Sequence, residues 1–147
     1  MTALDANSAS LPGDDIVSLD AVALSRAIQA RAVSCGEVMN AYLAQIDRIN
    51  AAVNAIVAMQ DRDALHAIAG ERDAQLTRGE SLGPLHGFPQ APKDILPVAG
   101  MVTTKGSPIF AGEITQVDAV VFERMRKAGA IFIGRTNSPE FGLGGHT

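Results

Sequence analysis

Lys93 closes the most proline-rich stretch of the sequence, Gly83-Pro84-Leu85-His86-Gly87-Phe88-Pro89-Gln90-Ala91-Pro92-Lys93-Asp94. A lysine can take up a proton only when it is neutral, and with a free pKa near ~10.4 about one in 2,500 is neutral at pH 7. To serve as a base near neutrality its pKa must fall to roughly 7–8, which costs about 4 kcal/mol of desolvation or repulsion. Only a buried, water-poor site supplies that. The apolar and proline neighbours of Lys93 are consistent with burial. Most lysines are nevertheless solvated surface groups, so this chemistry needs support from elsewhere in the chain. Asp94 would oppose it by raising the lysine pKa if it lay on the same side. Neighbouring side chains of extended chain point to opposite faces. Asp94 is therefore expected to brace loop backbone and not to take part in catalysis.

Other reactive residue types carry less. Cys35 sits at the first position of a predicted helix, where the dipole favours a thiolate, but no histidine partner can be identified and a small structural residue is the expectation. His66, His86 and His146 lack metal-ligand spacing, so neither a metal nor a cofactor is expected. The Gly142–Gly145 cluster matches neither phosphate-binding glycine pattern, and Lys105-Gly106-Ser107 runs in the wrong order for a P-loop. Thr103, Thr104 and Ser107 offer hydroxyls, and by themselves they describe turn chemistry. Asp14/Asp15 and Asp61/Asp63 are expected on a solvated tail and a helix cap.

The elements that must position these groups divide the chain in two. Residues 1–14 are small and polar and are expected to be a disordered tail. Ser18 offers an N-cap for a helix carrying Ala21, Leu24 and Ile28 at helical spacing. Ser34 and Glu37 form an S-x-x-E capping box, and Met39, Tyr42, Ile46 and Ile49 then make one apolar stripe. Asp61 can cap a third helix along Leu65, Ile68, Arg72 and Leu76, with Gly79 as its stop. From Gly83 onward prolines forbid long helices. Phe88–Ala91 reads as a short strand ended by Pro92, Thr103–Pro108 as a loop, and Asp118 as the cap of a helix with a basic last turn. Ala130-Ile131-Phe132-Ile133-Gly134 reads as a strand covered on both faces, so that strand, helix and strand form a parallel βαβ unit. Such a strand wants more neighbours than the few candidate strands provide.

Bulk composition narrows the classes. Of 147 residues 47% are hydrophobic, with no Trp, one Tyr and five Phe, which describes an aliphatic core. Twelve basic against sixteen acidic residues and no basic cluster argue against nucleic acid as a partner. One cysteine excludes an internal disulfide framework and suits a reducing compartment. The absence of an apolar run long enough for a bilayer, or of a secretory leader at the N-terminus, leads to the expectation of a cytoplasmic protein without a membrane partner.

The blocks from Gly83 onward resemble the amidase-signature family. Gly83–Asp94 is similar to its G-P-L-x-G-[VI]-P-x-x-[VL]-K-D segment, and Thr103-Thr104-Lys105-Gly106-Ser107 to its T-T-x-G-S loop. Asp118-Ala119-Val120-Val121 is similar to D-A-x-V, Ala128-Gly129-Ala130 with Gly134-Arg135-Thr136-Asn137 to A-G-A…G-[KR]-T-N, and Ser138-Pro139-Glu140-Phe141 to x-P-E-F. Five blocks fall in the family order within residues 83–147. Pro92 departs from the usual aliphatic residue, and Lys105 from a position often small. The resemblance implies a Ser–cis-Ser–Lys mechanism in which a serine attacks the amide carbonyl, a bridging serine relays protons, and Lys93 is the base. It also implies that Thr103, Thr104, Ser107, Gly144 and Gly145 belong to the substrate-site loops, with a small amide as substrate. The family's serines and oxyanion-hole glycines lie in G-S-S-G-G and D-T-G-G-S segments, which do not occur in these 147 residues.

The resulting expectation is an α/β fold in which N-terminal helices precede the first part of a mixed β-sheet flanked by helices, an incomplete amidase-signature fold. Residues 15–147 would be the N-terminal portion of one amidase domain, helical over 15–80 and with the start of the α/β core over 83–147. Alone the chain would be inactive, with the remainder of its own polypeptide as its partner. One alternative is the amidase-like subunit of a tRNA-dependent amidotransferase, ranked second because Pro139-Glu140-Phe141 resembles stand-alone amidases more than the D-E-F frequent in that subunit. The other is a non-catalytic docking or dimerisation module, self-associating through the N-terminal helices. Burial of Lys93 separates the enzyme from the module, in which the lysine would be exposed.

Overall fold

Helix α3 (Cys35–Val53) begins at the capping box read from the sequence, with Ser34 N donating to Glu37 Oε2 at 2.8 Å and Glu37 N to Ser34 Oγ at 3.0 Å. Two of its remaining free N–H groups, Cys35 N and Gly36 N, donate to the Asp73 carboxylate at 2.6 and 3.0 Å. Asp73 lies on α4 (Arg62–Thr77), so a charge favourable to the α3 dipole also ties the two helices together. Asp61 caps α4 as expected, accepting from Ala64 N at 2.9 Å.

The computed structural model describes residues 13–145; the tail expected over residues 1–14 lies outside them except at its end. There, α1 (Gly13–Ser18) is already helical and packs on α3. Ser18 is thus the last residue of α1 and not a cap. The cap of α2 (Ala21–Gln29) is Asp20, whose extended backbone lets its carboxylate reach Ala23 N at 2.8 Å. Leu24 and Ile28 are buried, as their spacing predicts. On α3 the apolar stripe is buried at Met39 but reaches solvent at Ile49, 40% exposed, because Cys35, Val38 and Leu43 carry the packed face.

Two two-stranded sheets adjoin at residues 131–136. Strand β3 (Ile131–Phe132) runs parallel to β2 (Pro89–Gln90), and β4 (Gly134–Thr136) runs antiparallel to β1 (Ile56–Met59). Ile133 N donates to Gln90 O and Gln60 N donates to Ile133 O, both at 2.9 Å, so this segment has a neighbour on each side. Ala130 to Gly134 is buried throughout, which explains its unbroken apolarity. Helix α5 (Val120–Lys127) crosses from β2 to β3 and packs Phe122 edge-to-face on Phe132, ring centres 5.7 Å apart. Asp118 is not the cap of α5. That place falls to Ala119 without a side-chain bond, while the Asp118 carboxylate accepts from Ala99 N and Arg126 Nε at 2.8 and 2.9 Å. Gly129 ends α5 at φ 103, and a Cβ there would stand 2.5 Å from His86 Cα. His86 is itself buried, receiving Leu82 N at Nδ1 (3.1 Å) and donating from Nε2 to Arg72 O (2.9 Å).

Candidate active site

Three segments meet at the end of β2: residues 93–96, the loop 103–107 and the run 137–145 after β4. Pro92 withholds a donor from the ladder, yet its carbonyl accepts from Thr136 N at 3.0 Å and pairing resumes with Asp94 N to Thr136 O at 3.1 Å. Strand geometry therefore persists through Lys93, which bridges to Thr136. Its side chain faces away from the core and its Nζ donates to the carbonyl oxygen of Asn137 at 2.8 Å.

Lys93 lines an open cleft of about 630 Å³ together with Ile95, Leu96, Phe122, Pro139, Gly142, Gly144 and Gly145. The wall is mostly apolar, and Lys93 contributes its charged group. The expected burial of the lysine is not met: Lys93 is exposed. Apolar side chains flank its stem, and no described residue closes the cleft over the amine.

Asp94 points the other way and is 4% exposed. Its carboxylate accepts from Thr104 N at 3.0 Å and from Thr104 Oγ1, and it pairs with Arg135 Nη2 at 3.3 Å. Its backbone oxygen accepts from Ser138 Oγ at 3.0 Å. Asp94 is therefore the knot that joins the three segments, in line with its bracing role. Arg135 is fully buried and also donates to Leu96 O at 2.7 Å, while its Nε and Nη1 find no partner among the described residues. Burial pulls the Arg135 guanidinium pKa down, against the opposing influence of Asp94.

The hydroxyl residues of the loop do not line the cleft. Thr103 is 1% exposed and Thr104 is engaged by Asp94, while the buried Ser107 donates from Oγ to Glu140 Oε1 at 2.6 Å. Lys105, in the left-handed region at φ 54, places Nζ 4.3 Å from the Phe110 ring centre, and Phe110 stacks edge-on against Phe141. The structure thus brings Lys93 together with Gly144 and Gly145, and sets Thr103, Thr104 and Ser107 behind them as supports.

Residues that sequence reasoning left without a role are Asn137, Arg135, Ser138 and Glu140. Asn137 acts through its main-chain carbonyl, which no side-chain pattern reports. Arg135 could have been suspected as a charge directly following the apolar run Ala130–Gly134. Cys35, 0% exposed, has its thiol pushed up to about 12, chiefly by burial and then by Asp73, the opposite of a reactive helix-terminal thiolate. Among the described residues no three His, Cys, Asp or Glu side chains gather as a metal site, and no helix is long and apolar enough to cross a membrane.

The model of the Amidase family matches residues 37–147. A glutamyl-tRNA(Gln) amidotransferase subunit from Acidothermus cellulolyticus is 42% identical over 133 residues, covering 90% of this chain and 26% of that protein. An acylamidase of Rhodococcus erythropolis is 39% identical over 129 residues, covering 88% of this chain and 27% of its own. Among solved structures, the native peptide amidase of Stenotrophomonas maltophilia superposes with a TM-score of 0.79 at 29% identity, over 88% of this chain and 26% of that one. The chain thus spans about a quarter of the length of the curated relatives it matches.

Proposed function

The chain belongs to the Amidase family, and from that premise we propose that it forms the Lys93-bearing part of an enzyme hydrolysing a carboxamide to acid and ammonia. The observation that carries the reading is a lysine lining a mostly apolar, open cleft, its amine held by the Asn137 carbonyl, with Gly142, Gly144 and Gly145 in the same lining. In the mechanism the family resemblance implies, a serine attacks the amide carbonyl, a second serine passes the proton on, and neutral Lys93 receives it. The carbonyl acceptor would orient the amine, and a lysine base works only from a site that excludes water. Exclusion of water needs a cover over the cleft, which the remainder of a longer polypeptide would supply.

The exposure of Lys93 is what a non-catalytic docking module also predicts. The enzymatic reading is preferred because the family model runs through all five sequence blocks at the cleft and its supports. A second reading has a specific observation in its favour, since a relative at 42% identity belongs to an amidotransferase. There the ammonia would pass to an acyl acceptor instead of being released.

The test measures ammonia release from a panel of alkyl and aryl carboxamides and from glutamine, using the polypeptide that carries these residues with the catalytic serines. Lys93→Ala is expected to lower the rate by at least about a hundredfold, as loss of a general base does, while leaving the circular dichroism unchanged. Wild-type turnover by Lys93→Ala would overturn the assignment. Turnover confined to glutamine would move the amidotransferase reading to first place.

A further inference from the structure

Glu140 is an exposed carboxylate that takes part in no ion pair among the described residues. Its partner is instead the buried hydroxyl of Ser107, at 2.6 Å. A hydroxyl donating to a carboxylate makes a strong, directional bond. Such a bond fixes geometry, and the geometry it fixes is that of the run beside Lys93.

The acceptor of the Lys93 amine is a main-chain carbonyl, that of Asn137. A carbonyl has no rotamer with which to adjust, so its position depends on whatever holds residues 137–141. Upstream, Asn137 N donates to Ala55 O at 2.9 Å. Downstream, the attachments run to the loop 103–107 and to Asp94. Ser138 Oγ donates to Asp94 O, Phe141 N donates to Lys105 O at 2.7 Å, and Ser107 binds Glu140. The two segments touch backbone to backbone, since a Cβ on Gly106 would lie 2.6 Å from Ser138 O and 2.9 Å from Pro139 O. Lys105 and Phe141, the two ends of one of these bonds, both hold left-handed backbone at φ 54 and 53. Non-glycine residues stay in that region only where their surroundings over-determine it. The same turn then delivers Gly142, Gly144 and Gly145 to the Lys93 cleft.

We infer that Glu140 is a positioning residue for the Lys93 amine, acting through Ser107 to hold the Asn137 carbonyl and the glycine turn in place; the inference rests on the amide-hydrolase reading of the cleft. The Glu140 side chain is not among those lining the cleft, and the Lys93 amine donates to Asn137 instead, so Glu140 is not a catalytic residue.

The test is competitive acetylation of the folded chain with a limiting amine reagent at fixed pH, read lysine by lysine by mass spectrometry. Lys127, exposed on α5, serves as the internal reference. Glu140→Ala and Ser107→Ala are expected to raise Lys93 labelling relative to Lys127 by about fivefold, the size of losing one hydrogen bond at the amine. Glu140→Gln keeps an oxygen for Ser107 and is expected to label like the wild type. Unchanged Lys93 labelling in folded Ala variants would overturn the inference, as would a Glu140→Gln effect as large as that of Glu140→Ala. The readout needs no turnover, so failure of the hydrolase reading shows separately, as ammonia release that survives Lys93→Ala.

Discussion

Replacing Asp94 should be the most damaging single change near the site, and its cost can be worked from the contacts. Asp94 and Arg135 are 4% and 0% exposed, and removing one partner of a buried pair costs about 3–5 kcal/mol because a charge is left unpaired. Asp94→Ala also leaves Thr104 N without its acceptor, a cost of about 1–3 kcal/mol that overlaps the first where the loop relaxes. Taken together, about 4 kcal/mol is expected for Asp94→Ala, a large part of the roughly 5–15 kcal/mol that stabilises an ordinary domain. Asp94→Asn keeps an oxygen for Thr104 and should cost about 1 kcal/mol less. In urea, with a slope of about 2 kcal/mol per molar, Asp94→Ala should lower the midpoint by about 2 M. Arg135 supplies the control, because its bond to Asp94 is long at 3.3 Å and two of its nitrogens lack partners among the described residues. Its charge is poorly compensated even in the native state, so Arg135→Met in the Asp94→Ala background should recover at least about 2 kcal/mol. An Asp94→Ala cost below about 1 kcal/mol, or a double variant no better than the single one, would refute this account of a costly buried charge.

Three further outcomes are expected. The Asp118 carboxyl is held below the usual range first by its bonds to Arg126, so it stabilises the fold above its unfolded pKa near ~3.9 and that stability is lost as pH falls further. Asp118→Asn should therefore cost about 1 kcal/mol at pH 7, with the difference from wild type shrinking below about pH 4 in thermal melts, and a constant difference down to low pH would count against the pairing. Cys35, raised to about 12, should react with iodoacetamide at pH 8 only through unfolding, at least about a hundredfold slower than a free thiol, and rapid alkylation of the folded chain would contradict its burial. Ile109, Val117, Val120 and Leu143 are 75%, 65%, 61% and 77% exposed, so the chain on its own should self-associate with rising concentration in sedimentation velocity. A single monomer boundary at high concentration would oppose that.

Much of this organisation is legible in the sequence because it is local. The Ser34–Glu37 box, the Asp61 cap, the Gly79 and Gly129 stops and the buried run Ala130–Gly134 are each decided by residues a few positions apart. Two caps depart from the sequence expectation, each because of a neighbour the capping pattern does not report. Ser18 and Asp118 have the side chains that caps use, but Asp20 stands nearer the first turn of α2, and Asp118 is drawn away by Ala99 N and Arg126. Local patterns do not report contacts between distant segments. Asp73 capping α3, Ser107 meeting Glu140 and the Asn137 carbonyl under Lys93 each join positions more than thirty residues apart. The apolar neighbours of Lys93 in sequence suggest burial, yet Phe88, Pro89, Ala91 and Pro92 lie outside the lining of its cleft, and Lys93 stays exposed.

The pairing of β1 with β4 bears on how this protein must be made. Ile56 meets Thr136, its partner 80 positions later. At a synthesis rate of about 5–20 residues per second, β1 would wait about 4–16 s on the ribosome before its neighbour is even translated. During that interval α3 and α4, which flank β1 in sequence and already touch each other through Asp73, can form a hairpin of helices that carries an unpaired strand between them. An unpaired strand edge invites addition of another chain. Crowded polysomes, in which nascent copies lie side by side at the same stage, are therefore where this sequence is most exposed to mispairing.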